Sequence, residues 1–264
     1  MTWRTVTCEV DNGPAHRAAV GLIVLASDTV SEPEARAFLP TDGVGLYVSR
    51  VPMSDVATVE SLAQMKNGLQ SAAALLVPDD HLDVVAYGCT AGATLIGSDN
   101  IAGLINAGRK EPVAYTDPIL AGVAALRTLA CRRIALLTPY VDAVGDVVAR
   151  HFTDSGFEIV AQASFKKLGD PDIARIAPVA IYREAVALGR DEQVDAVFIS
   201  CTALRVAGVL ESIERDLGKP VVSSNQALAW QALRLAGYND VLEGRGHLFK
   251  CPDVRMSGNN EYSF

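Results

Sequence analysis

The segment YGCTAGATLIG, residues 87–97, has a counterpart later in the chain, ISCTALRVAGV at residues 199–209. In both copies a short apolar run typical of a buried strand ends in Cys-Thr, and residues compatible with a helix start follow. The next segments match as well, because PVAYTDPILAGVAALRTLA at 112–130 is similar to PVVSSNQALAWQALRLAG at 220–237. A repeat spacing of about 110 residues predicts two similar halves.

Eight short apolar runs rich in β-branched residues alternate with amphipathic segments. Near-continuous apolar runs are typical of strands buried on both faces, and their alternation with helices predicts an α/β fold with parallel sheets. We interpret the chain as two similar Rossmann-like lobes related by a pseudo-twofold axis, with the functional site in the cleft between them. Residues 1–117 with 226–264 form the first lobe, and residues 118–225 form the second. The predicted strands are 19–27, 43–51, 83–89, 112–116, 133–140, 157–165, 195–201 and 220–224, and the main helical segments are 56–76, 98–108, 142–152, 177–189 and 205–218.

Composition excludes several classes of protein. Half of the 264 residues are hydrophobic, only 20% are charged, and the net charge is −8, so we expect neither a disordered chain nor a nucleic-acid partner. No apolar run approaches the roughly 20 residues of a membrane helix, and the N-terminus lacks the apolar segment of a secretory signal. We therefore expect a soluble, cytoplasmic protein without a membrane partner.

The sequence carries no pattern for a metal or a nucleotide. Its five cysteines include no CxxC pair, its four histidines lack ligand spacing, and no glycine-rich phosphate loop follows the first strand. We predict a protein without a cofactor or a metal. Cys8, Cys131 and Cys251 belong to no repeated motif, so we interpret them as structural thiols.

Cys89 and Cys201 are the candidates for chemistry. Ligands of open parallel sheets bind beyond the carboxyl ends of the strands, and both cysteines are predicted there, each at a helix N-terminus that would lower its pKa. A thiolate on one face of a carbon can remove a proton while a thiol on the other face supplies one. Alternatively, a thiolate can add to an activated double bond, which then rotates as a single bond. Both reactions are isomerisations.

Negative charge that collects on a substrate carboxylate in such reactions needs hydrogen-bond donors positioned in advance. The predicted donors are the hydroxyls of Thr90, Thr202 and Tyr140 and the backbone N–H groups after each cysteine, including those of Ala91 and Ala203. Both threonines would serve equally well as helix N-caps, and Tyr140 could instead close the edge of the cleft.

The paired GCT and SCT motifs and the strand endings Ser27-Asp28-Thr29 and Thr138-Pro139-Tyr140 resemble the aspartate/glutamate racemase superfamily. Within it, the chain is most similar to the branch of maleate cis-trans isomerase, arylmalonate decarboxylase and the ectoine-utilisation protein EutA. The resemblance extends over residues 20–238. It implies that Cys89 and Cys201 are the catalytic pair, and it implies a carboxylate pocket formed by Thr90, Ala91, Thr202 and Tyr140.

The chain departs from this branch after the first strand, where maleate isomerases commonly carry Ser-Asn and this sequence has Ser27-Asp28. An ionised Asp28 would repel a dicarboxylate by about 1 kcal/mol at 4 Å in water and about 4 kcal/mol at an effective dielectric of 20. Asp28 could instead face a substrate ammonium, orient Cys89 or cap the following helix. Asp170 or Asp172 resembles a further polar position near the pocket.

The sequence thus predicts a cofactor-independent isomerase, either a racemase or a cis-trans isomerase, of a small carboxylic or amino acid. Cys89 favours isomerisation because arylmalonate decarboxylase typically has glycine at that position. One alternative is a decarboxylase of a malonate-like acid with Cys201 as proton donor. Another is a non-catalytic protein that binds a small molecule. A homo-oligomer, most simply a dimer, is expected from base rates.

Overall fold

Two four-stranded parallel sheets organise the chain in the computed structural model, which describes residues 2–53 and 64–251. The first contains β1 (Ala18–Leu25), β2 (Val44–Val51), β3 (Val84–Tyr87) and β4 (Ala114–Thr116). The second contains β5 (Arg133–Thr138), β6 (Glu158–Ser164), β7 (Ala196–Ile199) and β8 (Val221–Ser223). Their orders, β2-β1-β3-β4 and β6-β5-β7-β8, are equivalent. The predicted α/β fold with two similar lobes is confirmed.

Helices connect the strands and cover the sheets. The described helices are α1 (Ser31–Phe38), α2 (Lys66–Ala74), α3 (Thr90–Ile96), α4 (Ser98–Ala107), α5 (Pro118–Thr128), α6 (Asp142–Asp154), α7 (Asp170–Ala174), α8 (Pro178–Gly189), α9 (Leu210–Leu217) and α10 (Ser224–Leu235). A 3₁₀ turn, His247–Lys250, follows. The first part of the helix predicted at 56–76 and the end of the chain, residues 252–264, lie outside the described residues. Within residues 2–53 and 64–251, no helix has the length and apolar character needed to cross a membrane.

The central strands of both sheets are buried on both faces. All eight residues of β1 and all four residues of β3 and of β7 are buried. Parallel sheets require helices on both faces, which explains why these strands read as continuous apolar runs rather than alternating ones.

Each sheet is also covered by the helix that comes directly after the last strand of the other sheet. After β8, α10 packs on the first sheet, where Leu228 meets Leu22 and Ala86. After β4, α5 brings Gly122 so close to the Phe198 ring of β7 that a Cβ at this position would lie 2.8 Å from it. The chain therefore changes sheet near the predicted lobe boundaries at 117/118 and 225/226. The division into lobes remains a prediction.

Candidate active site

Cys89 lies where the sequence predicts it, at the start of a helix beyond the carboxyl end of β3. It is the N-cap residue of α3, with extended backbone angles of φ −146° and ψ 110°. The N–H of Gly92 donates to its sulfur at 3.3 Å. This is the usual N-cap arrangement, in which a side chain accepts from an otherwise unpaired N–H of the first turn.

Cys201 follows β7 in the same way, but the predicted helix start after it is wrong. Residues 202–209 contain turns but no helix, and α9 begins only at Leu210. Cys201 has a φ of +119°, and the N–H of Ala203 donates to its sulfur at 3.4 Å. The physical reason lies in distant partners, because a loop can stay non-helical where other groups satisfy its backbone. Both carboxylate oxygens of Glu34 accept from the N–H of Ala207, and Asn225 Nδ2 donates to the carbonyl of Thr202 at 2.8 Å.

One cavity brings the two thiols together. Its wall includes Cys89, Cys201, Tyr140 and Asp170, which belong to both halves of the chain. The cavity volume is about 30 Å³, which is room for roughly two water molecules. Thr90, Ala91, Thr202 and Lys167 also contribute to the wall, and the other lining residues within the described ranges are Leu25, Met53, Val141, Val144, Leu168 and Ile173. The predicted convergence of both Cys-Thr turns on one cleft is present in the structure.

Both thiols are held in the protonated form. Burial raises the pKa of Cys89 well above its ordinary range and that of Cys201 to about 12. The carboxylate of Asp170 is the second cause in each case. The expectation that the pKa of each thiol is lowered is therefore wrong. Desolvation disfavours a thiolate more than the donated N–H groups favour it.

The threonine hydroxyls join the two halves of the molecule. Thr90 Oγ1 donates to Ser224 Oγ at 2.9 Å, and this serine accepts from the N–H of Cys201 at 3.0 Å. Thr202 Oγ1 donates to the carbonyl of Gly88 at 3.0 Å. Neither hydroxyl acts as a helix N-cap, which was one of the two alternatives for these threonines. Ser224 was not a sequence candidate, although its position at the end of β8 is the kind of strand end where such candidates are sought.

Tyr140 lies beside Cys201, and Tyr87 lies beside Cys89. The Tyr140 hydroxyl is buried and favours the Cys201 thiolate, but it does not reach hydrogen-bond geometry with any atom of the described residues. The Tyr87 hydroxyl is 3.7 Å from Met65 Sδ, and it also interacts with Cys89. Burial is the first cause that raises the pKa of each tyrosine. Sequence reasoning missed Tyr87. Strand periodicity places its side chain on the same side as that of Cys89, which follows two residues later in the chain.

Asp28 is placed differently from the substrate-binding role considered for it. Its Oδ1 accepts from the N–H groups of Val30 and Ser31, both at 2.7 Å, and its Oδ2 accepts from the Ser31 hydroxyl. The carboxylate therefore accepts hydrogen bonds at the start of α1. Asp28 is not part of the cavity wall. These contacts correspond to the capping alternative. Burial raises the pKa of Asp28.

Asp170 reaches the cavity, whereas Asp172 does not. Asp170 lies at the start of α7, and its Oδ2 accepts from Ser27 Oγ at 2.8 Å. Asp172 is at the surface, where its carboxylate is 3.6 Å from the guanidinium of Arg175. The other predicted groups, Ser27 and Ala203, are absent from the cavity wall. Each contacts a residue of the wall, because Ser27 donates a hydrogen bond to Asp170 and Ala203 donates one to Cys201. No local pattern marks Met53 or Leu168 as lining residues, since each comes from a connecting segment.

Comparison with known proteins agrees with this architecture. The sequence model of the arylmalonate decarboxylase family matches residues 113–249. The maleate isomerase of Nocardia farcinica is 27% identical, over 88% of this chain and 95% of that protein. The arylmalonate decarboxylase of Bordetella bronchiseptica is 28% identical, over 89% of this chain and 98% of that protein.

A solved structure shows the same fold. The crystal structure of a cysteine-to-alanine variant of the maleate isomerase Iso from Pseudomonas putida S16 with maleate superposes with a TM-score of 0.81. The two proteins share 20% identity, over 89% of this chain and 98% of that one. The family match covers just over half of the chain, and the relatives extend over nearly all of it. The chain belongs to the arylmalonate decarboxylase family, among the aspartate/glutamate racemase-like enzymes that include the maleate isomerases.

Proposed function

We propose that this protein is a cofactor-independent isomerase of a small carboxylic or amino acid and that Cys89 and Cys201 act on opposite faces of the substrate. The observation that carries the proposal is the single cavity lined by both thiols, one from each sheet. Two proton-transfer groups on opposite sides of one carbon can invert its configuration without any other reagent.

Two reactions are compatible with this arrangement. In a racemisation, the thiolate of one cysteine takes the proton next to the carboxylate, and the C–H electron pair moves into an enediolate. The thiol of the other cysteine then returns a proton to the opposite face, so that the protonation states of the two cysteines are exchanged. In a cis-trans isomerisation, one thiolate adds to the double bond and leaves again after the resulting single bond has rotated.

Both reactions place negative charge on the substrate carboxylate, and Tyr140 is positioned to stabilise it. Its hydroxyl is buried beside Cys201 and Ser200, which both influence its pKa, but it reaches full hydrogen-bond geometry with no atom of the described residues. A buried donor without a partner is costly, and a substrate oxygen would satisfy it. Backbone N–H groups at Thr90, Ala91 and Thr202 are the further donors that we propose for this carboxylate.

The named relatives support this assignment and leave the reaction open between isomerisation and decarboxylation. The alternative is a decarboxylase in which Cys201 protonates the enediolate left after loss of carbon dioxide. One observation favours it: the arylmalonate decarboxylase of Bordetella bronchiseptica is as similar to this chain as the maleate isomerase of Nocardia farcinica is. A dispensable Cys89 and carbon dioxide release from a malonate would identify that reaction.

The decisive experiment follows hydrogen exchange in deuterated water by NMR, with aspartate, glutamate, diaminobutyrate derivatives, maleate, hydantoins and arylmalonates as the panel. We expect exchange next to a carboxylate, or isomerisation of a double bond. Cys89→Ser and Cys201→Ser should each reduce it by roughly 10²- to 10⁴-fold. Cys131→Ser is the matched control, because Cys131 is a buried thiol outside the cavity. Full turnover in both site variants would contradict the proposal. If no compound of the panel shows exchange or isomerisation, the alternative of a non-catalytic binding protein would be favoured.

A further inference from the structure

Asp170 brings a carboxylate to the same cavity as the two thiols. Its Oδ2 accepts from Ser27 Oγ at 2.8 Å. Its Oδ1 receives no hydrogen bond from any residue in the ranges 2–53 and 64–251. One acceptor oxygen thus remains available at a cavity that also contains Cys89 and Cys201.

No cation compensates this carboxylate among the described residues. Asp170 forms no ion pair there, and burial and the negative charge of Asp28 both raise its pKa. Lys167 contributes to the cavity wall, but its side chain is exposed and makes no salt bridge with Asp170 in the described part of the chain. Asp170 is half-buried, and a partly desolvated carboxylate without a counter-ion is unfavourable, so binding of a cationic ligand group to it would be favourable.

The same carboxylate opposes the reactive form of the enzyme. After burial, Asp170 is the strongest influence that raises the pKa of both Cys89 and Cys201. A positive charge placed against Asp170 would cancel this repulsion. Thiolate formation would then be favoured in the substrate complex and disfavoured in the free enzyme.

We propose that Asp170 binds an ammonium group of the substrate, so that the enzyme selects amino acids over dicarboxylates that lack this group. The inference rests on the proposed function, since it names the substrate class of the same cavity. It follows from the free Oδ1, the missing counter-ion and the shared wall with both thiols. The carboxylate of the amino acid remains with Tyr140 and the backbone donors.

A competing role for Asp170 has the opposite consequence. A protonated Asp170 would be a neutral group that donates a hydrogen bond to a second substrate carboxylate. Asparagine is nearly isosteric with that neutral form and cannot become an anion. Asp170→Asn therefore separates the two roles, because it preserves the neutral donor and abolishes the anion.

The test measures binding rather than turnover. The Cys89→Ser/Cys201→Ser double variant is titrated by calorimetry with two ligand pairs that differ only in the ammonium group, aspartate with succinate and 2-aminobutyrate with butyrate. We expect at least one amino acid to bind at least tenfold more tightly than its partner, and Asp170→Asn in the same background to remove this preference. Asp172→Asn is the matched control, since Asp172 is a surface carboxylate two residues away. It should leave the preference unchanged.

The outcomes distinguish this inference from the proposed function. Equal or weaker binding of both amino acids, or an unchanged preference in Asp170→Asn, overturns the role of Asp170. Exchange in deuterated water by the enzyme with both cysteines would still support the two-thiol reaction in that case. A thermal melt of each variant shows whether it is folded, and Asp170→Glu, which restores the charge, should recover part of the preference.

Discussion

The two Cys-Thr turns have the same sequence and line the same cavity, yet their backbones differ. Cys89 has an extended conformation with φ −146°, and a helix begins at the next residue. Cys201 has a φ of +119°, and the following turns continue until Leu210. The backbone after Cys89 continues into a helix through local hydrogen bonds, whereas the backbone after Cys201 depends on Glu34 and Asn225, which are distant in sequence. A duplicated fold can therefore hold two chemically equivalent groups in unequal settings.

The largest difference that we expect between the two sides concerns their tyrosines. Tyr140→Phe should lower kcat by roughly 10²- to 10³-fold, because it removes the unpartnered donor that would meet the substrate oxygen. Tyr87→Phe should have a smaller effect, below about tenfold, since the Tyr87 hydroxyl already contacts Met65 Sδ. The measurement is kcat and KM of each variant on the substrate found by hydrogen exchange. Equal losses would mean that both tyrosines act on the substrate.

The next prediction tests the distant support of the Cys201 turn through pH. Burial raises the pKa of Glu34 from 4.5 to about 7, and the N–H groups of Ala207 and Val206 and the charge of Arg205 only partly oppose this. Below pH 4.5 the carboxyl is protonated in the folded and the unfolded chain. As the pH rises towards 7, the unfolded chain loses the proton first, so the stability contributed by this group is lost.

Glu34→Gln should remove this part of the pH dependence of the free energy of unfolding. It amounts to at most about 3 kcal/mol between pH 4.5 and pH 7. Urea unfolding of the wild type and the variant at pH 5 and pH 8 measures it. Glu32→Gln is the control, because Glu32 lies on the same helix in a surface ion pair with Arg36. The raised pKa values of Asp28 and Asp170 act in the same direction in the wild type and in the variant, so the difference between the two profiles isolates Glu34. A variant with the wild-type pH profile would show that Glu34 does not titrate in this range.

The smallest effect concerns backbone strain at the cysteines themselves. A positive φ at a residue with a Cβ costs of order 1–3 kcal/mol, and glycine avoids this cost. Cys201→Gly should therefore be more stable than Cys201→Ala by about 1 kcal/mol. At Cys89, with its ordinary backbone, Cys89→Ala should be the more stable by a similar amount. Urea unfolding of the four variants tests this crossed pattern, and the same ranking at both positions would contradict it.

Much of the fold could be predicted because the signals are local. The eight apolar runs all became strands, with ends within about two residues of those expected. α4 and α6 begin at the residues expected from their amphipathic segments. The exception, the stretch after Cys201, has a helical pattern from residue 205, but its backbone groups find partners on α1 and α10 instead. Local propensity is a weak prior that tertiary contacts override.

The candidate site was predictable only in part. The repeated motif identified Cys89 and Cys201, and the strand end identified Tyr140. Of the acidic residues considered, Asp28 and Asp170 both follow strand ends, yet only Asp170 reaches the cavity. The N–H groups of Val30 and Ser31 hold the Asp28 carboxylate at α1. Which polar side chain faces a cleft depends on such competing partners, and no sequence pattern reports them.

By itself, the sequence determined the α/β class, the repeat and the pair of thiols, because hydrophobic periodicity and a duplicated motif are properties of neighbouring residues. The tertiary structure alone decided the acidity of the thiols, the backbone conformation of Cys201 and the carboxylate that they face. These properties arise from burial and from contacts between distant parts of the chain, such as Thr202 with Gly88 across 114 positions. Electrostatic free energies depend on distance and desolvation in space, and only the folded chain sets both.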